Sequence, residues 1–379
     1  MKNMIKKIFI SSFGSDAGGI EKSLIEFLRL LISMEYEIDL CLWREPGILF
    51  SQIPKQVNII DSDKLWPGSM RKGKKSAGKI IWYVLFRIGQ YMKIPTKFFK
   101  KMNKKYDIAI SYCQNGYSPY YVIDRVNAKR KYIWYHHGSY EKEGTEKRID
   151  KYYYSKYDKF ITVSNANKEM LLKHFPSLES KMDVINNLIN EQDIINKSLE
   201  NVSDINVNEK NIITTVGRVA EEKGQLFAVD VADKLKQTGM EFVWYFIGDG
   251  PDLEKCKDKV KCLKLDNECY FLGAKKNPYP YILNARLYVQ PSKVEADPIT
   301  ILESKILKKV ILASDIPAIC ESLQNGKLGC IEERDVNKFS ESIRQLLVND
   351  IKRKKYLDEL NKMESNNKFS IDKINKLLE

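Results

Sequence analysis

The second half of the chain repeats one local pattern, in which an apolar run ends in glycine and is followed by a polar loop and a helical stretch. The runs are residues 212–216, followed by Gly217 and Arg218, and residues 242–247, followed by Gly248. Short apolar runs bounded by glycine indicate buried strands, and strands that alternate with helices indicate a parallel sheet. Such sheets bind ligands at the carboxyl ends of their strands. The pattern therefore predicts an α/β domain of the nucleotide-binding type.

Two cations lie at one of these predicted strand ends. Arg218 follows the strand directly, and Lys223 stands in the loop before a helix that begins near Gln225. Two cations at this place could neutralise a diphosphate. The alternative interpretation is that both are ordinary surface charges beside a loop.

A later strand end carries two carboxylates. A strand predicted at residues 286–290 is followed by Glu295, and seven residues separate Glu295 from Glu303. Asp297 and Pro298 predict the start of a helix, because aspartate accepts hydrogen bonds from first-turn amides and proline has no amide to leave unpaired. Glu295 is therefore expected in the loop, and Glu303 within the helix.

The first turn of that helix leaves the backbone amides of Ile299 and Thr300 free to bind an anion. The two glutamates flank this position and can accept hydrogen bonds from hydroxyl groups. A sugar nucleotide offers that combination of phosphates and hydroxyls. The alternative is an ordinary strand-to-helix turn with a capping aspartate and two solvated glutamates.

The motifs around these residues, taken in order, resemble those of family 4 glycosyltransferases, which are retaining enzymes of the GT-B fold. The similar segments are residues 18–21, 106–111, 134–136, 163–164, 184–187, 216–218, 223–224, 247–251, 277–279 and 295–303. The resemblance spans nearly the whole chain. It implies two Rossmann-like α/β domains that face each other across a cleft, with a C-terminal helix that returns to the first domain.

The resemblance also assigns roles to residues. It implies that Glu303 holds the ribose hydroxyls, that Glu295 holds the sugar hydroxyls, and that His136 contacts the donor sugar. His137 is the alternative to His136, since a shift of one residue exchanges them, and a plain packed histidine is another. The expected catalytic residues are His136 and Glu295. The expected donor-binding residues are Gly18, Gly19, Arg218, Lys223, Gly248, Pro298, Ile299, Thr300 and Glu303.

Gly18 and Gly19 are expected to let the backbone approach the diphosphate or the acceptor closely, and the alternative is a tight turn. The motif at residues 295–298 departs from the family, which usually has Glu-Gly-Phe-Pro where this chain has Glu-Ala-Asp-Pro. Asp297 adds negative charge beside the predicted anion site unless its side chain caps the helix, or else it contacts a hydroxyl of the donor. Arg286 replaces the usual aspartate in an Ala-Asp pair.

The expected reaction is transfer of a sugar from a nucleoside diphosphate, with UDP expected, to a lipid-linked or cell-surface glycan in bacterial polysaccharide biosynthesis. No sequence feature identifies an enzymic nucleophile. No metal cluster is evident, so no metal and no cofactor are expected beyond the nucleotide sugar as co-substrate. The alternative is a non-catalytic scaffold partner in a membrane-associated glycosyltransferase complex. The joint presence of the candidate site residues argues against that alternative.

A basic segment at residues 64–105 holds thirteen Lys and Arg and no Asp or Glu, which can account for the whole net charge of +13. Aromatic and aliphatic residues are interleaved with these cations, a combination typical of a helix at an anionic bilayer, where each cation contributes about 1 kcal/mol. The segment predicts a peripheral membrane surface. The alternatives are a core helix at residues 80–92 with basic flanks and, ranked well below, binding of nucleic acid.

The length of 379 residues suggests two domains. The expected division is an acceptor-side domain at 1–190, a linker at 191–210, a donor domain at 211–350 and a helical tail at 351–379. Seven cysteines without a Cys-x-x-Cys pair indicate reduced thiols in a cytoplasm. The amino terminus is interpreted as a first strand and not as a secretory signal, and no apolar stretch approaches the length of a membrane span.

Overall fold

The computed structural model describes residues 6–14, 18–44, 46–66, 77–364 and 367–379. Within them the chain forms two α/β units. The first unit is Met1–Leu188 with Asn367–Glu379, and the second unit is Ile189–Asn366. Each unit contains one parallel sheet with helices on both faces, so the predicted two-domain α/β architecture is confirmed.

The sheet of the first unit has the strand order β3-β2-β1-β4-β5-β6-β7. Its strands are β1 (Lys7–Ser12), β2 (Glu37–Leu42), β3 (Asn58–Ile60), β4 (Lys105–Ser111), β5 (Asn127–Tyr135), β6 (Lys159–Thr162) and β7 (Met182–Val184). The helices are α1 (Gly19–Ser33), α2 (Ala77–Tyr91), α3 (Ser118–Arg125), α4 (Gly144–Tyr154) and α5 (Asn165–His174). Along β1, Phe9 joins the core on one face and Ile8 and Ile10 join the core on the other, because successive side chains of a strand alternate.

The sheet of the second unit has the order β10-β9-β8-β11-β12-β13. Its strands are β8 (Ile212–Val216), β9 (Val243–Ile247), β10 (Cys269–Phe271), β11 (Leu287–Gln290), β12 (Ile311–Ser314) and β13 (Cys330–Glu332). Its helices are α6 (Glu191–Ser198), α7 (Gln225–Gln237), α8 (Leu253–Cys262), α9 (Tyr279–Asn284), α10 (Ile299–Ile306), α11 (Pro317–Ser322), α12 (Val336–Val348) and α13 (Asp350–Asn361). Buried side chains cover both faces of this sheet, which explains the continuous apolar strands.

Both sheets reverse their order beside the first strand of the unit. The reversal lies between β1 and β4 in the first unit and between β8 and β11 in the second. In the second unit, Ile213 pairs with Leu287 and Thr214 with Tyr288, so that β8 and β11 end side by side. Ligands of open α/β sheets bind at the carboxyl ends of the strands at such a reversal. The loops after β8 and β11, which carry the predicted donor residues, therefore meet at this place.

The segment at 191–210, expected to be a linker, contains helix α6 and belongs to the second unit. Asn190 caps this helix, since its Oδ1 accepts a hydrogen bond of 3.0 Å from the amide of Asp193. Ile194 is buried in the core of the second unit. The Asn, Ser and Asp content that suggested a linker reflects a capped helix and turns, because the same residue types favour caps and flexible loops.

The tail at 351–379 is divided between the two units. Helix α13 stays with the second unit, where Leu360 is fully buried. Helix α14 (Asn367–Leu378) returns to the first unit, as the fold prediction required. Its last carbonyls accept hydrogen bonds from Lys6 Nζ at 3.0 Å, Arg130 at 2.9 Å and Tyr132 OH at 3.1 Å. Cationic and hydroxyl donors suit a helix carboxyl end, where carbonyls lack partners within the helix.

Helix α2, in the basic segment, has one packed face and one exposed apolar face. Phe86 is buried, with its ring centroid 4.6 Å from that of Tyr117. On another face lie four apolar side chains that are 46–77% exposed, spaced three, four and three residues apart: Ile81, Val84, Ile88 and Tyr91. This spacing places them in one stripe along the helix. The core-helix and surface-helix interpretations therefore each describe one face of α2.

The cations of the basic segment differ in their surroundings. Lys97, Lys100 and Lys101 are exposed, and none of them forms an ion pair with any residue that the structure describes. Lys104 belongs to the fold, because its Nζ lies 2.6 Å from Glu37 and 2.7 Å from the buried Asp39. Arg71, Lys72, Lys74 and Lys75 lie outside the described residues. Among the helices in the described part of the chain, none is both long enough and apolar enough to cross a membrane.

Candidate functional site

The loop after β11 holds Glu295 in a fixed environment. Its side chain is only 8% exposed, and both carboxylate oxygens lie 2.8 Å from Lys223 Nζ. Oε1 also accepts hydrogen bonds from Ser292 Oγ at 2.7 Å and from Gln290 Nε2 at 3.0 Å. Hydrogen bonds from three donors, one of them charged, fix the orientation of this carboxylate.

Two predicted donor-binding cations are held by carboxylates. Lys223 is paired with Glu295, which lies 72 positions further along the chain. Arg218 forms an ion pair with Glu222, and the side chain of Arg218 is 64% exposed. Lys223 and Glu295, predicted to contact different parts of one ligand, are therefore in direct contact. Binding of a diphosphate by these cations requires each to leave or share its carboxylate.

Two glycines let the loops of the second unit approach closely. Gly224 has φ of +76°, and a Cβ there would lie 2.1 Å from the carbonyl oxygen of Pro291. Gly248, predicted to bind the donor, has φ of +153°, and a Cβ there would lie 1.9 Å from the carbonyl oxygen of Gly217. No side chain fits at either position. Gly248 thus allows the loops after β8 and β9 to pack against each other, and Gly224 does the same for the loops after β8 and β11.

Helix α10 begins one residue later than a capping Asp297 requires. Its N-cap is Pro298, with φ −73° and ψ 94° and no side-chain cap, so Asp297 stands one position before the N-cap. The extended conformation of Pro298 shifts the first turn onto Ile299 and Thr300, whose amides head the helix. Glu303 is fully buried within α10. A ribose hydroxyl can reach Glu303 only if neighbouring side chains move.

Asp297 acts on Lys305, a buried cation of α10. Lys305 is almost fully buried, and its Nζ donates a hydrogen bond of 2.9 Å to the carbonyl of Ser322. Burial lowers the pKa of Lys305 to about 8, and the charge of Asp297 opposes this shift. The negative charge of Asp297 is therefore partly offset by Lys305.

In the first unit, Gly18 and Gly19 lie at the start of α1. Gly18 is the N-cap and Gly19 is the first helical residue. A Cβ on Gly18 would lie 2.3 Å from the carboxylate oxygen Oε2 of Glu21, so the glycine leaves room for this side chain. The predicted close approach of the backbone concerns the loop that begins after β1, and residues 15–17 of that loop lie outside the described part of the chain.

His136 directly follows β5 and is half-buried. Its backbone amide donates a hydrogen bond of 3.1 Å to Gln114 Oε1, and its ring lies 4.9 Å from that of Tyr112. Asn187 interacts with the ring and raises the pKa of His136, against the effect of burial. Among the residues that the structure describes, His136 Nε2 is one of the buried polar atoms that no hydrogen bond reaches. His137 is exposed, with Nδ1 3.1 Å from the carbonyl of Ser139.

We expect His136→Gln to reduce the loss of stability at acidic pH. Burial lowers the pKa of His136 to about 3, whereas a histidine in an unfolded chain has a pKa of about 6.5. Between these values the unfolded state binds the extra proton, so stabilisation by neutral His136 is complete above pH 6.5 and is lost as pH falls towards 3. From pH 7 to pH 5, the unfolding free energy of the wild type should fall by about 2 kcal/mol more than that of the variant.

Urea unfolding at the two pH values measures this difference. His137→Gln is the matched control for loss of an imidazole, because His137 is the adjacent histidine and is exposed. Equal losses of stability in the wild type and in His136→Gln contradict a neutral His136 with a buried ring nitrogen.

The sequence prediction missed four residues that contact the candidate residues: Ser292, Gln290, Gln114 and Asn187. Gln290 carries a usable signal, since it is a polar residue at the end of an apolar strand. In the described residues, no group of three or more His, Cys, Asp or Glu side chains is arranged to hold a metal ion.

The chain matches two protein families, and the matched ranges adjoin near the boundary between the units. Residues 17–193 match "Glycosyltransferase Family 4", and residues 198–363 match "Glycosyl transferases group 1". The two matches together span most of the chain and both units.

Known proteins are similar over long stretches. An uncharacterized glycosyltransferase of Methanocaldococcus jannaschii is 25% identical over 64% of this chain, and this chain covers 63% of that protein, less than two thirds. A Campylobacter jejuni enzyme, N-acetylgalactosamine-N,N'-diacetylbacillosaminyl-diphospho-undecaprenol 4-alpha-N-acetylgalactosaminyltransferase, is 25% identical over 92% of each chain. The crystal structure of Anabaena HepE with UDP and glucose is similar in fold, with a TM-score of 0.72, 13% identity and coverage of 98% of this chain and 99% of that chain.

Proposed function

Because the chain belongs to the family 4 (group 1) glycosyltransferases and has the GT-B fold, we propose that it transfers a sugar from a UDP-sugar with retention of the anomeric configuration. The proposed acceptor is a lipid-linked or cell-surface glycan in bacterial polysaccharide biosynthesis. The observation that carries the proposal is the contact between Lys223 and Glu295 at the point where the sheet of the second unit reverses. A cation for the diphosphate and an acceptor for sugar hydroxyls are adjacent there.

In this proposal, Lys223 and Arg218 move from their carboxylates to the diphosphate of the donor. The departing diphosphate carries growing negative charge, which these cations and the first amides of α10 stabilise. Glu295 then accepts hydrogen bonds from sugar hydroxyls. UDP is proposed as the nucleotide because HepE, which has the same fold, was crystallised with UDP and glucose. No metal ion or other cofactor takes part in the proposed reaction.

Retention is proposed without an enzymic nucleophile. The bond between the anomeric carbon and the phosphate oxygen breaks, and the acceptor oxygen bonds to the same face of that carbon. The acceptor proton passes to the departing phosphate oxygen, so charge and atoms balance. Glu295, whose Oε1 is held by three donors, serves to bind the sugar. The anomeric configuration of the isolated product, measured by NMR, tests this part of the proposal.

The exposed stripe on α2 supports a docking surface for an anionic membrane. Ile81, Val84, Ile88 and Tyr91 present apolar surface, and Lys97, Lys100 and Lys101 are exposed shortly after the helix. Apolar side chains that enter the bilayer interface and cations that contact lipid headgroups combine in peripheral membrane proteins. The related Campylobacter enzyme is named for an undecaprenol-linked substrate. We therefore propose a cytoplasmic protein at the inner face of the cell membrane.

The proposed donor site is tested by thermal unfolding with a panel of nucleotides and nucleotide sugars. A donor at about 100 times its dissociation constant should add about 2.7 kcal/mol to the unfolding free energy. Arg218→Ala and Lys223→Ala should each weaken binding of free UDP by about 10-fold, because a lost contact to a charged group costs about 1.5 kcal/mol or more. Lys261→Ala, at an exposed lysine of α8, is the control and should bind UDP as the wild type does.

Calorimetry with free UDP measures these affinities. Unchanged affinity in both cation variants rules out the proposed diphosphate site. A purified chain that is stabilised by no nucleoside diphosphate, and that neither transfers nor hydrolyses any donor, supports the scaffold alternative.

A further inference from the structure

Gln290, the last residue of β11, uses every hydrogen-bonding position of its side-chain amide. Its Oε1 accepts hydrogen bonds from Tyr288 OH at 2.5 Å and Thr300 Oγ1 at 3.1 Å. Its Nε2 donates to Ser292 Oγ at 2.8 Å and to Glu295 Oε1 at 3.0 Å. An amide oxygen accepts two hydrogen bonds and an amide nitrogen donates two, so this set admits only one orientation of the side chain.

We propose that Gln290 is a positioning residue that holds the carboxylate of Glu295 in the orientation that binds the donor sugar. The inference rests on the proposed function, which supplies the contact between Glu295 and the sugar. Gln290 is 3% exposed, so water does not compete for its hydrogen bonds. Its contact with Thr300 ties the same amide to the first turn of α10.

The contacts of Glu295 differ in what donor binding does to them. Lys223 is a cation that the diphosphate attracts away from the carboxylate. Gln290 and Ser292 are neutral and buried, and they also bond to each other. They therefore keep Glu295 in place after Lys223 has moved. Orientation matters because a misplacement of about 1 Å at a reacting centre can reduce the rate about 100-fold.

Two substitutions of Gln290 separate positioning from packing. Gln290→Met keeps the volume and removes all four hydrogen bonds, and kcat for transfer should fall about 10-fold, the effect of one lost hydrogen bond of about 1.4 kcal/mol. The KM for the donor should change by less than about 3-fold, because Gln290 orients Glu295 and does not contact the phosphates. Free UDP should bind with wild-type affinity, which also shows that the variant is folded.

Gln290→Glu has nearly the shape of the wild type and adds a pH readout. Its carboxylate can still accept from Tyr288 and Thr300, but it faces Glu295 as a like charge, which raises the pKa of the pair. A proton taken up by the pair restores an O–H donor between the two carboxylates. The kcat of this variant relative to wild type should therefore rise about 10-fold between about pH 8 and pH 6.

Thr215→Val is the matched control for loss of a buried polar group. Thr215 lies on the neighbouring strand β8, where its hydroxyl donates to the carbonyl of Val289 at 2.8 Å and accepts from Trp244 at 3.0 Å. It touches neither Glu295 nor Gln290 through its side chain in these contacts. This variant should be less stable than the wild type, and the ratio of its kcat to the wild-type kcat should not change with pH.

Steady-state transfer with UDP-sugar over this pH range decides the inference. It is overturned if Gln290→Met keeps kcat within about 2-fold of wild type, or if the relative kcat of Gln290→Glu does not change with pH. It is also overturned if Thr215→Val, at equal loss of stability, loses as much kcat as Gln290→Met. A wild-type chain that neither binds UDP nor transfers sugar marks the failure of the proposed function and removes the inference with it.

Discussion

Glu295→Gln should lower sugar transfer by about 100-fold and, in the same protein, tighten the binding of free UDP by about 5-fold. Transfer falls because a neutral amide accepts weaker hydrogen bonds from the sugar than a carboxylate does. UDP binds more tightly because Lys223 loses the charge that holds it at 2.8 Å from both oxygens. The cation is then available to the diphosphate without competition.

The geometry around Glu295 makes glutamine the suitable replacement. The three donors Lys223, Ser292 and Gln290 all reach Oε1, so the carbonyl oxygen of a glutamine can take that position. Its NH2 group then occupies the position of Oε2, which receives only Lys223 among the hydrogen bonds described above. The substitution thus removes the ion pair and keeps the neutral hydrogen bonds.

Titration calorimetry with UDP and transfer kinetics together measure the two effects. In a Lys223→Ala background, Glu295→Gln should give no gain in UDP affinity, since the cation that benefits is absent. Weaker or unchanged UDP binding by the single Glu295→Gln variant contradicts competition between the carboxylate and the diphosphate for Lys223.

Replacing Lys97, Lys100 and Lys101 together by serine should weaken binding to anionic vesicles by about 100-fold, at about 1 kcal/mol for each cation near the surface. These lysines are exposed and lie beside Phe98, which is 57% exposed. Lys104 is left intact because its ion pair with the buried Asp39 stabilises the first unit. The affinity for UDP should not change, since the three lysines lie in the first unit and the proposed diphosphate cations lie in the second.

The matched control replaces three exposed lysines of the second unit, Lys261, Lys354 and Lys355, and so makes the same change in net charge. It should bind anionic vesicles nearly as the wild type does. High salt should release the wild type only in part, because screening weakens the lysines but not the burial of the α2 stripe. Replacing Val84 and Ile88 by serine should remove the salt-resistant part.

Sedimentation with anionic and neutral vesicles measures these changes. Equal sedimentation with both kinds of vesicle, or with neither, contradicts the membrane surface and leaves the glycosyltransferase assignment intact. An equal loss in the control triple variant shows that net charge, and not this surface, governs binding.

The local sequence predicts the strands that build the sheets. Apolar runs near Ile8, Ile38, Ile108 and Ile212 each coincide with a strand, because a strand buried on both faces needs a continuous apolar run. The edge strands β7 and β13 are only three residues long. They carry too few residues for an apolar pattern, and backbone pairing with the neighbouring strand defines them instead.

Helix boundaries and capping depend on backbone geometry that residue type only suggests. Asp297 and Pro298 are favourable residues for a helix start, yet Pro298 itself takes the N-cap position. Similarly, the Asn and Ser content of residues 191–210 suits a linker as well as a capped helix. The difference lies in Ile194, whose burial stabilises α6 against the core of the second unit.

The sequence by itself determined the family, the α/β class of both halves and the loops that carry the candidate residues, because these follow from local patterns and motif order. Only the tertiary structure paired Lys223 with Glu295 and gave Gln290 its four partners. The contact between Lys223 and Glu295 joins residues 72 positions apart, and it exists because the sheet places β8 beside β11. The partners of Gln290 lie within ten positions of it in the chain, and the turn from β11 into α10 brings them together. The exposed face of α2 was also decided by packing, since Phe86 fixes which side of the helix meets the core. A sequence pattern within one segment reflects the conformational preference of that segment alone. Contacts between segments depend instead on which strands lie side by side in the sheet.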